Sequence, residues 1–447
     1  MFKTFRNAFK APDIRRKIFY TLFIILIYRI GCFVPIPGLN LVTTFGQSTS
    51  GSNYDIMAMM SMITGGSLQN GTLFALGIIP FINSFIIMQL LTLVIPKLEK
   101  LSKDGEEGRK KINQYIRYVA ILLAVIQAVG VMLSWKGSIT GVFGSAGASS
   151  TTSVNTIFTM ISIVVILTGG SALVMWLGER ITEFGVGNGT SLIIFIGILS
   201  SLGNKIWLAL FNVIPQQVKS GDLTGIWYLF GFIILVVLLF FLIVFVDLSE
   251  RRITVQYAKR IKGNKMYGGQ TTYIPLKVNS GGVMPIIFAS SLIMFPQMIM
   301  EFVGKTNGFT TFWYKWMGVG GYMYPLFMFI LIIFFAYFYS QIQFNPDDVS
   351  KMVQQNGGFI PGIRPGKSTS DHLRKINNRI TLFGALFLAL VSLIPTVILT
   401  SIKGFEALGF SSAFSATGLI ILVSVALEFE KQLESQILVK TNKGFLK

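Results

Sequence analysis

Apolar residues fall along this chain in ten runs of about 20, near residues 18–37, 73–95, 115–135, 154–176, 190–211, 225–247, 283–302, 323–342, 380–401 and 412–429. A helix needs about 20 apolar residues to cross the hydrocarbon core of a bilayer, so each run predicts a transmembrane helix. Lys205 interrupts the fifth run, where its long stem lets the ammonium reach the nearer interface. Between the first two runs lies a shorter Met-rich stretch, Asp55-Ile-Met-Ala-Met-Met-Ser-Met-Ile-Thr-Gly-Gly, which ends in the flexible pair Gly65-Gly66. It is too short to cross, and two readings fit it: a re-entrant or interfacial helix, or an external amphipathic loop.

Two polar segments, 248–282 and 343–379, are longer than a helix connection requires. The first contains Glu250-Arg-Arg-Ile-Thr-Val-Gln-Tyr-Ala-Lys-Arg260, whose alternation predicts a strand. The second contains Gly357-Gly-Phe-Ile-Pro-Gly-Ile-Arg-Pro-Gly366, where Gly and Pro predict a tight turn with Arg364 at its tip. Either these are solvated loops that set topology, or they are docking platforms for something large and acidic. Their length and rigid punctuation favour the platforms.

Composition agrees with the ten runs. Of 447 residues, 52% are hydrophobic and 13% charged, and the mean hydropathy is +0.65. A soluble domain carries about a quarter of its residues as charges, so a soluble globular enzyme is excluded. Lys and Arg number 38 against 19 Asp and Glu. With the N-terminus in the cytoplasm, 31 of those 38 lie in inner segments and six in outer ones, with Arg29 inside the first run. That asymmetry sets both termini in the cytoplasm and makes most of the basic excess topological. No direct DNA binding is expected of it. The basic N-terminus leads into an apolar run with no small-residue cleavage site after it, so the run is read as a retained span.

Cys32 and His372 are the only residues of their kinds, which excludes a disulfide framework, a thiolate metal site and a His-based centre or triad. No cofactor is expected. Arg29, Asp247, Glu301 and Glu428 lie in or near the ends of runs, whereas an ion-coupled carrier normally holds carboxylates or His deep in the bundle. Polar residues within the runs are neutral: Asn83, Ser84, Gln89, Gln127, Ser290 and Ser291. They serve either as ordinary interhelical bonds or, along one seam, as a contact weak enough to open. The Gly-rich stretches at 105–110 and 185–190 lack the strand context and the Gly-Lys-Ser/Thr ending of a phosphate cradle and read as turns.

Ten spans divide into two sets of five, and an odd number forces the halves into opposite orientation. The second run of each half carries Gly-φ-φ-Pro-φ-Ile, where φ is apolar, at Gly77–Ile82 and at Gly282–Ile287. An inverted repeat places the working pathway between the halves. Chance, and the ordinary fit of Pro to a first helical turn, also account for so short a match.

Several longer motifs, in order and nearly end to end, resemble the SecY family of protein-export channel subunits. They are Ala75-Leu-Gly-Ile-Ile-Pro-Phe-Ile-Asn-Ser, Gly105-Glu-Glu-Gly-Arg-Lys-Lys-Ile, Trp176-Leu-Gly-Glu-Arg-Ile-Thr-Glu-Phe-Gly-Val-Gly-Asn-Gly, Val255-Gln-Tyr-Ala-Lys-Arg, Pro275-Leu-Lys-Val-Asn-Ser-Gly-Gly-Val-Met-Pro and Pro361-Gly-Ile-Arg-Pro-Gly. The resemblance implies an all-α polytopic membrane protein, a clam-shell of two inverted five-helix halves (1–211 and 225–447) hinged at 212–224. It implies a plug helix near 57–72, including Met57, Met60, Gly65 and Gly66. It implies a pore ring of Ile78, Ile82, Ile194, Ile287 and Ile421, with Thr190 one turn before Ile194 where an aliphatic residue is common. It implies a lateral gate with Asn83, Ser84, Gln127 and Asn279 in its polar seam, and docking of a motor or ribosome on Arg251, Arg252, Arg260 and Arg364.

The partners implied are the small membrane subunits SecE and SecG, the SecA motor ATPase, the ribosome, signal peptides and unfolded precursors, anionic lipids, and SecDF and YidC. The place implied is the bacterial plasma membrane. A passive polypeptide channel is thus the leading expectation. A secondary transporter also uses inverted repeats, but the ionisable-poor spans and large basic loops count against it. An intramembrane enzyme lacks a credible catalytic set.

Overall fold

A computed structural model of the chain describes residues 11–39, 64–135, 153–208, 224–257, 260–262, 265–267, 271–303, 323–401 and 416–443, with a few isolated positions between them. Met57, Met60 and most of the expected hinge at 212–224 lie outside the described residues.

The described chain is mostly helical. Its helices are α1 (Pro12–Gly31), α2 (Ile79–Val94), α3 (Pro96–Lys103), α4 (Gly105–Ser134), α5 (Ser153–Phe184), α6 (Gly189–Leu208), α7 (Thr224–Leu248), α8 (Met284–Val303), α9 (Tyr324–Gln343), α10 (Pro346–Gln355), α11 (Lys367–Ser401) and α12 (Ala416–Lys443). Five of them, α4, α5, α7, α9 and α11, are by themselves long and apolar enough to cross a membrane. The helices α2 and α3 pass that test only together, with a bend of 107° between them. The bend follows from Pro96: the residue before a proline is pushed out of the helical region, and Ile95 sits at φ −97°, ψ 112°. The helices α6 and α8 contain shorter apolar stretches. On α7, Trp227, Phe241 and Phe245 stand exposed, an outward apolar face that only lipid or another apolar surface would cover.

Strands β1 (Glu250–Tyr257), β2 (Arg260–Lys262), β3 (Lys265–Tyr267), β4 (Thr271–Lys277) and β5 (Gly358–Phe359) come from the two long polar segments. Of the alternation expected over 250–260, the part in β1 is present, with Ile253 and Val255 buried between exposed neighbours, whereas Arg260 begins β2 and residues 258–259 lie outside the described residues. Strand β1 is central: it pairs antiparallel with β4, Glu250 opposite Lys277, and with β5, Gln256 opposite Phe359 and Tyr257 opposite Gly358. The two segments, about a hundred residues apart in sequence, therefore fold into one platform. Its own apolar core joins Ile253, Val255 and Leu276 to Val353, Ile360 and Leu373.

The main core of the bundle is one cluster that draws buried side chains from α1, α2, α5, α6, α7, α8, α9, α11 and α12, and so from both halves of the sequence. A second cluster lies where α4 and α5 meet the stretch 68–79. That stretch is tied to the end of α1: Leu73 donates its N–H to Val34 O at 2.9 Å, and Ile36 donates to Gly71 O at 2.9 Å. Phe74 stacks on Tyr28, and a Cβ on Gly31 would collide with the Phe74 ring.

Candidate functional site

The two Gly-φ-φ-Pro signatures adopt matching local geometry. Gly77 has φ +54° and Gly282 φ +58°, a region that glycine enters without steric cost. Each stands two residues before its helix, and Pro80 and Pro285 each occupy the second helical position, where no N–H partner is needed. Ser171 of α5 donates its hydroxyl to Gly77 O at 3.1 Å and so fixes the first turn against its neighbour.

These two turns lead into three of the expected ring residues, Ile78, Ile82 and Ile287. Ile78, Ile194, Ile287 and Ile421 are all buried in the main apolar cluster, and Ile82 packs against it half-buried. The structure thus brings together side chains from the starts of α2 and α8 and from the first two turns of α6 and α12. Ile82, Ile194 and Ile287 also line a cavity of about 440 Å³. Phe81, Phe85, Met284 and Phe288 continue its apolar wall, and Arg117, Glu179, Glu183 and Asn188 form a polar one. Ile78 and Ile421 lie within the cluster and off this wall. Thr190 is on the wall, and its hydroxyl donates to Asn188 Oδ1 at 2.6 Å, so it is held toward the helix end.

The four expected seam residues divide. Ser84 is fully buried and donates to Ile116 O at 2.5 Å, joining α2 to α4. Asn83 and Gln127 are buried too, yet Asn83 Nδ2 and both amide atoms of Gln127 find no hydrogen-bond partner among the described residues. Asn279 lies elsewhere: its Nδ2 donates to Asp247 Oδ1 at 2.6 Å, on the wall of a second cavity of about 330 Å³ that also includes Lys277, Glu428 and Lys431. Ser191 and Met284 line both cavities.

On the platform, Arg251 and Arg252 are exposed on β1. Arg252 donates to Glu250 at 2.8 Å and lies over the Tyr273 ring, 4.8 Å from its centroid. Arg260 begins β2, opposite Tyr267 of β3. Arg364 is exposed on a turn braced by its own backbone: Thr369 Oγ1 donates to Arg364 O at 2.9 Å, and Ser350 Oγ donates to Gly366 O at 2.7 Å. Gly362 and Gly366 take φ +81° and +101°, conformations that a side chain would strain. Gly65 and Gly66 also have positive φ, and Gly66 donates its N–H to Ser61 O at 2.7 Å.

Three pairings were not foreseen from sequence. Arg117 and Glu179 form an ion pair at 2.6 Å between α4 and α5. Asp347, at the start of α10, accepts from the Ser370 hydroxyl and from Arg374 at 3.0 Å, joining α10 to α11. The Ser370 bond, helped by the Arg374 and Lys351 charges, holds the Asp347 carboxyl below its usual value of 3.8. Asp247 was visible as a charge at a span end, but its Asn279 partner was not. Only the Asn345-Pro-Asp347 start of α10, a helix-capping pattern, had a local signal.

No group of three or more His, Cys, Asp or Glu that would hold a metal occurs among the described residues. The apolar members of the first cavity, Phe81, Ile82, Phe85, Ile194, Met284, Ile287 and Phe288, offer an uncharged lining.

The SecY family profile matches residues 72–430. "Protein translocase subunit SecY" of Streptomyces scabiei is 43% identical over the full length of both chains, and its counterpart in Mycobacterium tuberculosis H37Rv is 40% identical over the same share. Among solved structures, a protein-conducting channel shares the fold at TM-score 0.63 and 18% identity, covering 94% of this chain and 91% of its own. Sec61 in the canine ribosome–channel complex from the endoplasmic reticulum aligns at TM-score 0.60 and 17% identity with the same coverage. With the profile covering most of its length and relatives of this identity matching end to end, the chain belongs to the SecY family.

Proposed function

We propose that this chain is the central subunit of a protein-conducting channel that passes unfolded secretory polypeptides across a membrane and releases hydrophobic helices sideways into lipid. It is a translocation subunit and not an enzyme. The observation that carries this reading is the convergence of Ile78, Ile82, Ile194, Ile287 and Ile421, from four helices, into one apolar cluster beside a cavity. A polypeptide pore must accept every side chain, so dedicated ligands are useless to it, whereas an aliphatic ring blocks ions by dewetting.

The finer architecture belongs to the same proposal. Ten helices span the membrane in two inverted halves, residues 1–211 and 225–447, hinged at 212–224. Residues near 57–72, with Met57, Met60, Gly65 and Gly66, form the plug. The lateral gate opens along α2 and α4 on one side and α8 and α9 on the other, with Asn83, Ser84 and Gln127 in its polar seam and Asn279 set apart from them beside Asp247. A signal helix entering lipid through it gains about 0.8 kcal/mol per buried CH₂, enough to bias a weakly bonded contact.

The platform carrying Arg251, Arg252, Arg260 and Arg364 docks the SecA motor or the ribosome, with both termini on the same cytoplasmic side of the bacterial plasma membrane. The likeness to Sec61 in a ribosome–channel complex supports the ribosome as partner. SecE and SecG cover outward apolar faces, anionic lipids meet the basic inner side, and SecDF and YidC are accessory partners.

Purified protein reconstituted into vesicles with SecE, SecG and the motor tests the function. A precursor that becomes protease-protected only with ATP supports the channel, and uptake of a small solute without precursor protection contradicts it.

A further inference from the structure

The short strap of residues 278–283 has the docking platform at one end and the ring-bearing helix α8 at the other. Upstream, Lys277 ends β4 opposite Glu250, and Val278 extends the ladder by donating its N–H to Ser249 O at 3.0 Å. Downstream, α8 begins at Met284 and carries Ile287 within its first turn.

Three helices grip the strap between those ends. Asn279 Nδ2 donates to Asp247 Oδ1 of α7 at 2.6 Å, a charge-assisted bond and the tightest of the three contacts. The Ser280 hydroxyl approaches the Ser340 hydroxyl of α9 at 3.5 Å. Ser340 is itself buried and held by Thr381 at 2.8 Å and by Asn377 Nδ2 at 2.9 Å, both from α11. Finally, α11 passes so close that a Cβ on Gly384 would collide with Val278 O. The left-handed Gly282 then turns the chain into α8.

We propose that the Asp247–Asn279 bond is a clamp that fixes the start of α8 and so keeps Ile287 in the closed ring until force on the platform releases it. Asn279 is thus a positioning residue for gating, more than a member of the polar seam. This deepens the channel reading and rests on it. Force on β1 and β4 reaches α8 through only six residues, and the clamp is the strongest side-chain bond that opposes it. Breaking it leaves the docking arginines in place and lowers the cost of moving Ile287 out of the ring.

The test uses the full translocase, a reporter with a crippled signal sequence, and motor binding to the same vesicles. Asn279→Ala is expected to raise reporter export about tenfold, equivalent to about 1.4 kcal/mol of gate bias. Motor affinity stays unchanged. Gly384→Ala, which displaces the strap from its other side, raises export in the same direction and serves where the first variant folds poorly. The exchange Asp247→Asn with Asn279→Asp rebuilds an amide–carboxylate bond in reverse and returns export to the wild-type level. Unchanged export in both single variants beside an active wild type overturns the clamp, as does a rise that the exchange leaves in place. A wild-type protein that moves no precursor contradicts the channel reading itself.

Discussion

The Ser84 hydroxyl donates to the backbone carbonyl of Ile116 at 2.5 Å, so this residue of the proposed polar seam is committed to joining α2 and α4. Its neighbour Asn83, and Gln127 further along α4, are equally buried but leave amide atoms without partners among the described residues. Polar groups in one apolar region thus do opposite things. Ser84 holds α2 and α4 together, while the amides raise the free energy of the arrangement in which they are buried.

That difference has a measurable consequence. An unsatisfied buried polar group costs about 1–3 kcal/mol. Gln127→Leu, similar in size and apolar, should therefore stabilise the closed gate. Export of a reporter with a weakened signal should fall several-fold, while a strong signal is little affected. Equal or greater export of the weak reporter would show that Gln127 makes its bonds in the closed state.

Arg364 stands exposed on a turn held by Thr369, Ser350 and two left-handed glycines, so its side chain contributes little to folding. Arg364→Glu should leave the amount and protease resistance of the protein unchanged and abolish motor-driven precursor protection. Protection at the wild-type ATP-dependent rate would remove this arginine from the docking site.

Asp347 ties α10 to α11 through Ser370 and Arg374, and its carboxyl titrates below 3.8 in the folded protein. A lowered folded value means that its contribution is complete above the unfolded value and is lost as pH falls through the folded one. Limited proteolysis of the platform should be flat from neutral pH to about pH 4 and rise below that. In Asp347→Asn the acid-induced step should disappear. A step that persists in the variant would assign it to another group.

Sequence pattern reached most of the helices because strong apolar runs such as α7 specify a helix without help from distant residues. It also reached β1, where alternation of Ile253 and Val255 with polar neighbours reports a half-buried strand, and the Arg364 turn, where Gly and Pro act locally. It did not reach the pairing of Gln256 with Phe359, because a two-residue strand has no period and its partner lies about a hundred positions away. The Asp247–Asn279 bond was hidden for a similar reason: each residue reads locally as a span-end charge or a loop amide, and only the packing of α7 against the strap joins them. The ring isoleucines are a different case. Isoleucine is abundant in every span, so composition and period gave no reason to choose Ile194 or Ile421; those assignments came from family resemblance.

The most direct test of a polypeptide path through the apolar ring is site-specific cross-linking to a precursor arrested in transit. The protein's one cysteine, Cys32, is buried, so a Cys32→Ser background accepts single probes. Cysteines at Ile82, Ile194 and Ile287 should each cross-link to the arrested chain, while one at the outward-facing Phe241 should not. Cross-linking at Phe241 with none at the three ring positions would place the chain outside the bundle and contradict the channel.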